Sequence, residues 1–552
     1  MFTALLILAC GKTDPEDLTA ADITAIRVQP DELTLSTRLD APATRNFTAW
    51  ATLAEPLPSG ESEVAIDLVS WSSSSAATGD IDTSGGFTSS DTNGGVTTIT
   101  ASHLGIEGSA TVTVIYEDFR VVGVDDAVVD AFEQASPGSG GAEVVYPLDG
   151  ARVPRNLASL AFAWDPPPSH DVYRLRLQSD LSDVSVYTDT PSWEADTDLW
   201  AIIASSNRGG EVTVSVESGE WSGGSLSDVT QGPSSTVIVN RLDARGSVIY
   251  WTSVGESIMR IPLGAEEAEV YWQDPEGRCV GCHAINESEG LMGVVNDGWN
   301  GPLSYLDLYD IDEPELIVPP ADDRRASFID FHPDGSVLAT VGEGRLRFMD
   351  GVTGASLFEY NTDYPFSMPD WSPSGDALLG VQAKGQVLSD ADLSESEIVE
   401  FEWDGSRPGS PQVIGFQEGN ESLFAPSYSP DGDWIAYLRV PEGSTHFNPQ
   451  SELWLMSRSG DIQIPLDNAM GDSLHAGYPR WGPLPDDEFL WLAWSSVREY
   501  PPDPVANNQP QIWVTAIDPS KAAAGEDPSS PAFWLTGQDP AGNNHLPVWW
   551  KE

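Results

Sequence analysis

Lysine is nearly missing from this chain: of 552 residues only Lys12, Lys384, Lys521 and Lys551 carry an ammonium group, and the formal net charge is −60. A nucleic-acid surface needs clustered lysine and arginine to neutralise phosphates, so this balance excludes that class of partner. It also disfavours partners with acidic surfaces, and self-repulsion keeps such a chain soluble. The acids do not form EF-hand loops, because no D-x-[DN]-x-[DN]-G run occurs. Long helical hydrophobic periodicities are scarce too. With 50 glycines, 42 prolines and 20 tryptophans, the composition points to sandwiches and propellers rather than α/β folds. No G-x-S-x-G, H-E-x-x-H or G-x-x-x-x-G-K run is present, so serine hydrolases, zinc proteases and P-loop enzymes lack support.

Cysteine is as rare as lysine. Cys10, Cys279 and Cys282 are the whole supply, which excludes a disulfide framework. Cys10 ends the apolar run Phe2–Ala9 in MFTALLILACGKTD, a segment too short to span a bilayer. This stretch resembles the end of a bacterial lipoprotein signal peptide, with Ile7-Leu8-Ala9-Cys10 as lipobox, although no Lys or Arg precedes the run. The resemblance implies a signal segment over 1–10, export, lipidation of Cys10 and a polar tether over 11–22. Gly11, rather than Asp, after the cysteine fits outer-membrane sorting.

Cys279 and Cys282 belong to CVGCH, residues 279–283. C-x-x-C-H reads as a c-type haem attachment site: two thiols add to the vinyl groups and one imidazole binds iron. Cys279 and Cys282 are then the thioether residues and His283 the proximal ligand. A local C-x-x-C disulfide, a zinc site and a thioredoxin-type redox pair are the other readings. The last lacks its βαβ context, and the zinc site lacks clear further ligands.

Along the chain, alternating strands and Gly/Ser/Asp turns over 23–116 predict a β-sandwich. The run VSWSSSSAATGDIDTSGGFTSS…TTITASHLGIEGSATVTV resembles group 2 bacterial Ig-like domains, which implies a spacer or adhesion module. Residues 117–143 read as a linker with a short helix in VDDAVVDAFEQA. Residues 144–240 read as a second sandwich, similar to fibronectin-III or Ig-like domains.

From 245 to 552 a unit of four strands recurs. FIDFHPDGSVLATVG, MPDWSPSGDALLGVQ, APSYSPDGDWIAYLR and YPRWGPLPDDEFLWLAW each read as strand, turn, strand. CVGCHAINESEGLMGVV follows the same template, with NESEG as its turn. SVIYWTS, SIMRIPLG and AEVYW lack a first strand, which NNHLPVWW at the chain end can supply. The S-P-D-G signature resembles the WD40-like blades of TolB-type propellers. The expected fold is therefore all-β: two sandwiches, then a six-bladed propeller closed by the C-terminal strand.

In that alignment Cys282 and His283 correspond to Met368 and Pro369, and His475 and His545 lie just before the matching positions of two further blades. Met368, His475 and His545 are the candidate sixth ligands or pocket walls for the iron. Met349 is less well placed and His332 belongs to a turn. Trp371, Tyr428, Trp481 and Trp549 recur at one blade position, as core residues do. The functional expectation is an exported, lipid-anchored c-type haem protein that exchanges electrons with a redox partner, possibly a basic one, or serves haem-based redox or ligand sensing; an electron carrier or binding protein is favoured over an enzyme, a question the sequence leaves open. The alternative is a non-redox envelope-binding scaffold with a C-x-x-C disulfide.

Overall fold

Period-two patterning explains the elements. Along Ile106–Val122, Ala110, Val112, Val114 and Tyr116 are buried while their neighbours face outward, as a pleated strand with one covered face requires. The structure, a computed structural model, describes residues 18–298, 300–308, 315–485, 488–502 and 509–551. Cys10 and the lipobox lie outside the described residues. The described chain divides into two units.

The first unit contains the chain up to 143, with 165–191 and 198–234. Ile23–Gln29, Thr48–Leu53 and Glu63–Ile66 form one sheet. Glu32–Thr37, Gly95–His103 and Ile106–Val122 belong to another. Val28, Ala51, Phe87, Ile99, Val112 and Val114 share a single core, the expected sandwich interior. Ile106–Val122 runs past residue 116, and its second half pairs in parallel with Ser182–Thr188. The helix expected in the linker forms over Asp126–Gln134 and buries Val128 and Phe132.

The second unit contains 144–164, 192–197 and everything from 235. Here six four-stranded antiparallel sheets follow one another. Blade 1 has Asn544–Trp550 innermost, then Ser247–Thr252, Ser257–Pro262 and Glu269–Gln273. The innermost strands of blades 2 to 6 are Val280–Asn286, Phe328–Phe331, Phe366–Trp371, Ser422–Tyr428 and Ala476–Trp481. Each touches the next, and those of blades 6 and 2 both touch Asn544–Trp550, so the ring closes. The C-terminal strand lies antiparallel to Ser247–Thr252, from Ser247 opposite Trp550 to Thr252 opposite Asn544. Closure removes the sheet edges that an open array would expose.

The turn between first and second strands repeats as well. Gly335, Gly375 and Gly432 hold φ of 75°, 71° and 78°, and Gly290 in blade 2 holds 64°. NESEG is therefore the same left-handed turn as the S-P-D-G turns, where a side chain would be strained.

Candidate functional site

The site is built on a bulge. In blades 1, 2, 4, 5 and 6 the innermost strand carries extra residues that skip the ladder with the second strand. In four of these blades the skipped pair is X-Pro: Met368-Pro369, Ala425-Pro426, Tyr478-Pro479 and Leu546-Pro547. The first residue of each pair sits at positive φ, from 47° to 53°. In blade 2 the skipped residues are Gly281 and Cys282, because Val280 pairs with Asn296 and His283 with Val294. Cys282 thus stands where the other blades have proline. The alignment of Cys282 and His283 with Met368 and Pro369 is corrected by one residue: they match Pro369 and Asp370. The slip comes from the turn: blades 2 and 4 skip the same two residues, but the hairpin from His283 to Val294 is two residues longer than that from Asp370 to Leu379.

The residue after the bulge faces the central channel. His283, Asp370, Ser427, Arg480 and Val548, with Asp330 from the unbulged strand of blade 3, line a cavity of 440 Å³. By blade order Arg480 stands across the ring from Asp330. Asp330 accepts the Trp371 N–H at 2.6 Å and Asp370 accepts the Tyr428 N–H at 2.8 Å, so each carboxylate ties its blade to the next. Burial raises both acids, Asp330 well above the usual range and Asp370 to about 6; Arg480 and backbone N–H groups oppose this in part. Trp371, Tyr428, Trp481 and Trp549 are buried, as expected of core residues, and also wall the channel mouth.

His283 is buried, at 4% exposure. Its Nδ1 lies 3.3 Å from the Gly281 carbonyl, which only accepts, so Nδ1 carries the proton. Nε2 is then the lone-pair nitrogen, and it has no partner. Burial pushes the imidazole down to about 4, against a weaker pull from the Gly281 and Ile249 carbonyls. A neutral imidazole oriented through Nδ1 with a bare Nε2 is the form that binds a metal.

The two thiols are free. Cys279 lies half-exposed just before the strand, its Sγ 3.5 Å from the Val280 carbonyl. Cys282 packs on the core shared by blades 2 and 3, beside Ala284, Ile329 and Phe331, and burial pushes its thiol up to about 11. It does not line the cavity that His283 lines. The imidazole therefore fits a haem iron as it stands. Cys282 would have to turn from the blade interface toward the channel. It sits at the bulge, where no ladder pairing to the second strand holds it.

The other candidates are not brought to His283. His475 and His545 line a separate cavity of 50 Å³ near the strand starts of blades 5, 6 and 1, with Trp251, His446 and Phe447. His545 stacks on Trp251 with ring centroids 5.4 Å apart, and its Nε2 has no partner. Met368 is buried, its Sδ accepting the Ala425 N–H at 3.2 Å, and it lines neither cavity. His332 bonds Asp334 and the Gly375 carbonyl, consistent with a turn residue. Sequence reading missed Asp330, Asp370 and Arg480. Their signal was a charged residue just before an aromatic at one repeat position, in F-I-D-F, M-P-D-W and Y-P-R-W.

Fold and site together define an all-β protein with a closed six-bladed propeller and a polar channel. No protein family matches the chain, and no curated protein does. Among solved structures it is similar to TolB from Acinetobacter baumannii, at 12% identity and a TM-score of 0.39, covering 61% of this chain and 79% of that one. It is also similar to the Kuenenia stuttgartiensis hydrazine synthase, at 17% identity and TM-score 0.32, covering 49% and 72%. A third likeness is to the Swd1 β-propeller domain of Myceliophteria thermophila, at 15% identity and TM-score 0.29, covering 52% and 90%. The propeller assignment stands on strand order and the closed ring of innermost strands.

Proposed function

We propose that this protein is an exported propeller that carries a c-type haem at Cys279, Cys282 and His283 and passes electrons to a partner protein. The observation that carries the reading is the buried neutral imidazole of His283, its Nε2 bare, directly after two free cysteines. Cys279 and Cys282 would hold the group through thioethers, and His283 would bind its iron. When bound, the haem supplies one-electron chemistry. The chain supplies an oriented imidazole, aromatic side chains at the channel mouth and a surface for docking. The lipobox-like N-terminus supports export and a lipid anchor at Cys10, in the outer membrane. The −60 charge favours a basic redox partner and salt-sensitive association.

The test is a spectrum. The exported chain is expressed in a host that matures c-type haem, denatured, and examined for covalently bound haem. Absorption that survives denaturation and is lost in Cys279→Ser and Cys282→Ser supports the proposal. No absorption from the wild-type chain sinks it. The competing disulfide reading predicts instead that thiol titration of the oxidised, unfolded protein finds neither Cys279 nor Cys282 free.

A further inference from the structure

Arg480 is the anomaly of the channel. The chain holds 86 acidic and 26 basic residues, and Arg27, Arg155, Arg174, Arg176, Arg439 and Arg458 all sit in ion pairs. Arg480 does not: among the described residues its guanidinium has no ion-pair partner, and Nη1 bonds only the Pro479 carbonyl, at 2.9 Å. It is half-buried and lines the channel cavity. Asp330 and Asp370 line the same cavity without an ion pair to it, one oxygen of each accepting the N–H of Trp371 or Tyr428. A guanidinium fork left open toward a cavity matches the two oxygens of a carboxylate. The same cavity is also lined by the aromatic side chains of Trp371, Tyr428, Trp481 and Trp549. They suit a planar apolar body.

We propose that the channel contains a carboxylate-binding site centred on Arg480, for a ligand whose acid group is borne on a planar apolar frame. Two sources share this chemistry, the propionates of the haem proposed above and a free aromatic carboxylate. Only the first rests on the haem reading. Lys551, exposed at the rim of the same cavity, is the second cation within reach of such a group.

The experiment uses the full chain with Cys279→Ser and Cys282→Ser, so that no haem attaches covalently. Haemin and its dimethyl ester are titrated by absorption, and 2-naphthoate and 2-naphthamide by calorimetry. The acid is expected to bind about tenfold or more tightly than its neutral counterpart, as a charge-assisted pair implies. Arg480→Gln removes that preference and Arg480→Lys keeps part of it, with thermal melting confirming that each variant is folded. Preference for haemin over its ester assigns the site to the prosthetic group. Preference for naphthoate without haemin binding supports the site and counts against the haem. Equal binding of acid and neutral forms, no binding of either pair, or a preference that survives Arg480→Gln overturns the proposal.

Discussion

A single buried nitrogen distinguishes His283 from an ordinary core histidine. Most buried imidazoles satisfy both nitrogens, and this one satisfies only Nδ1. His545 shares the trait in another cavity, and there it makes a clean prediction. Burial, with help from neighbouring His475 and His446, pushes the folded-state imidazole down to about 4. An unfolded histidine titrates near ~6.5. Between those values the unfolded chain binds the proton and the folded one does not. His545 therefore contributes stability that is fully present above about pH 6.5 and is lost as pH falls toward about 4. Acid also neutralises carboxylates and relieves repulsion in this anionic chain, so the wild-type profile alone mixes two trends. Replacing His545 with Phe keeps a ring against Trp251 and removes the titration. The expected result is a melting temperature whose fall from pH 7 to pH 4 is shallower than in the wild type. Parallel profiles would mean that His545 is protonated in the fold.

At the level of the strand, the bulge decides which residues meet. Its signature is partly legible: the recurring X-Pro before an aromatic marks four innermost strands, and the S-P-D-G turns mark where they end. What the repeat does not reveal is that the first hairpin of blade 2, from His283 to Val294, is longer than that of blade 4, from Asp370 to Leu379, by two residues rather than one, so it aligns Cys282 and His283 one position early. That slip matters because neighbours on a strand face opposite sides. It separates Cys282, at the blade interface, from His283, in the channel, and Met368 does not line the cavity that His283 lines. The same register creates the inter-blade bonds of Asp330 and Asp370. Removing the acceptor from Asp370 strands the Tyr428 N–H in a buried place, which costs about 1–3 kcal/mol. Asp370→Ala is expected to lower the urea midpoint accordingly, whereas Asp370→Asn, which keeps a carbonyl oxygen there, loses much less. Equal losses from both would show that charge, rather than the acceptor, ties blade 4 to blade 5.

Across the whole molecule, closure is what makes the channel a site. Six blades are countable in the sequence because five carry their own turn between first and second strands, and because NNHLPVWW fits the vacancy in blade 1. The ring of His283, Asp330, Asp370, Ser427, Arg480 and Val548 is not legible there, since its members are scattered along nearly the whole second unit and meet only once the ring closes. Val548 is brought into that ring by the C-terminal strand itself, which pairs with Ser247–Thr252, and Trp549 hydrogen-bonds the Arg245 carbonyl at 2.8 Å through its indole. Without this strand, blade 1 loses its innermost member, and the backbone edges of Ser247–Thr252 and the flanks of blades 2 and 6 become exposed. Ending the chain after Asn543 is therefore expected to abolish the cooperative unfolding transition of the propeller and to drive aggregation, seen as a lost near-UV signal and a shift to large species on size exclusion. Ending it after Trp550 removes only Lys551 and Glu552 and leaves both measurements as in the full chain. A chain ending at Asn543 that still melted cooperatively as a monomer would show that five complete blades hold the ring without the closing strand.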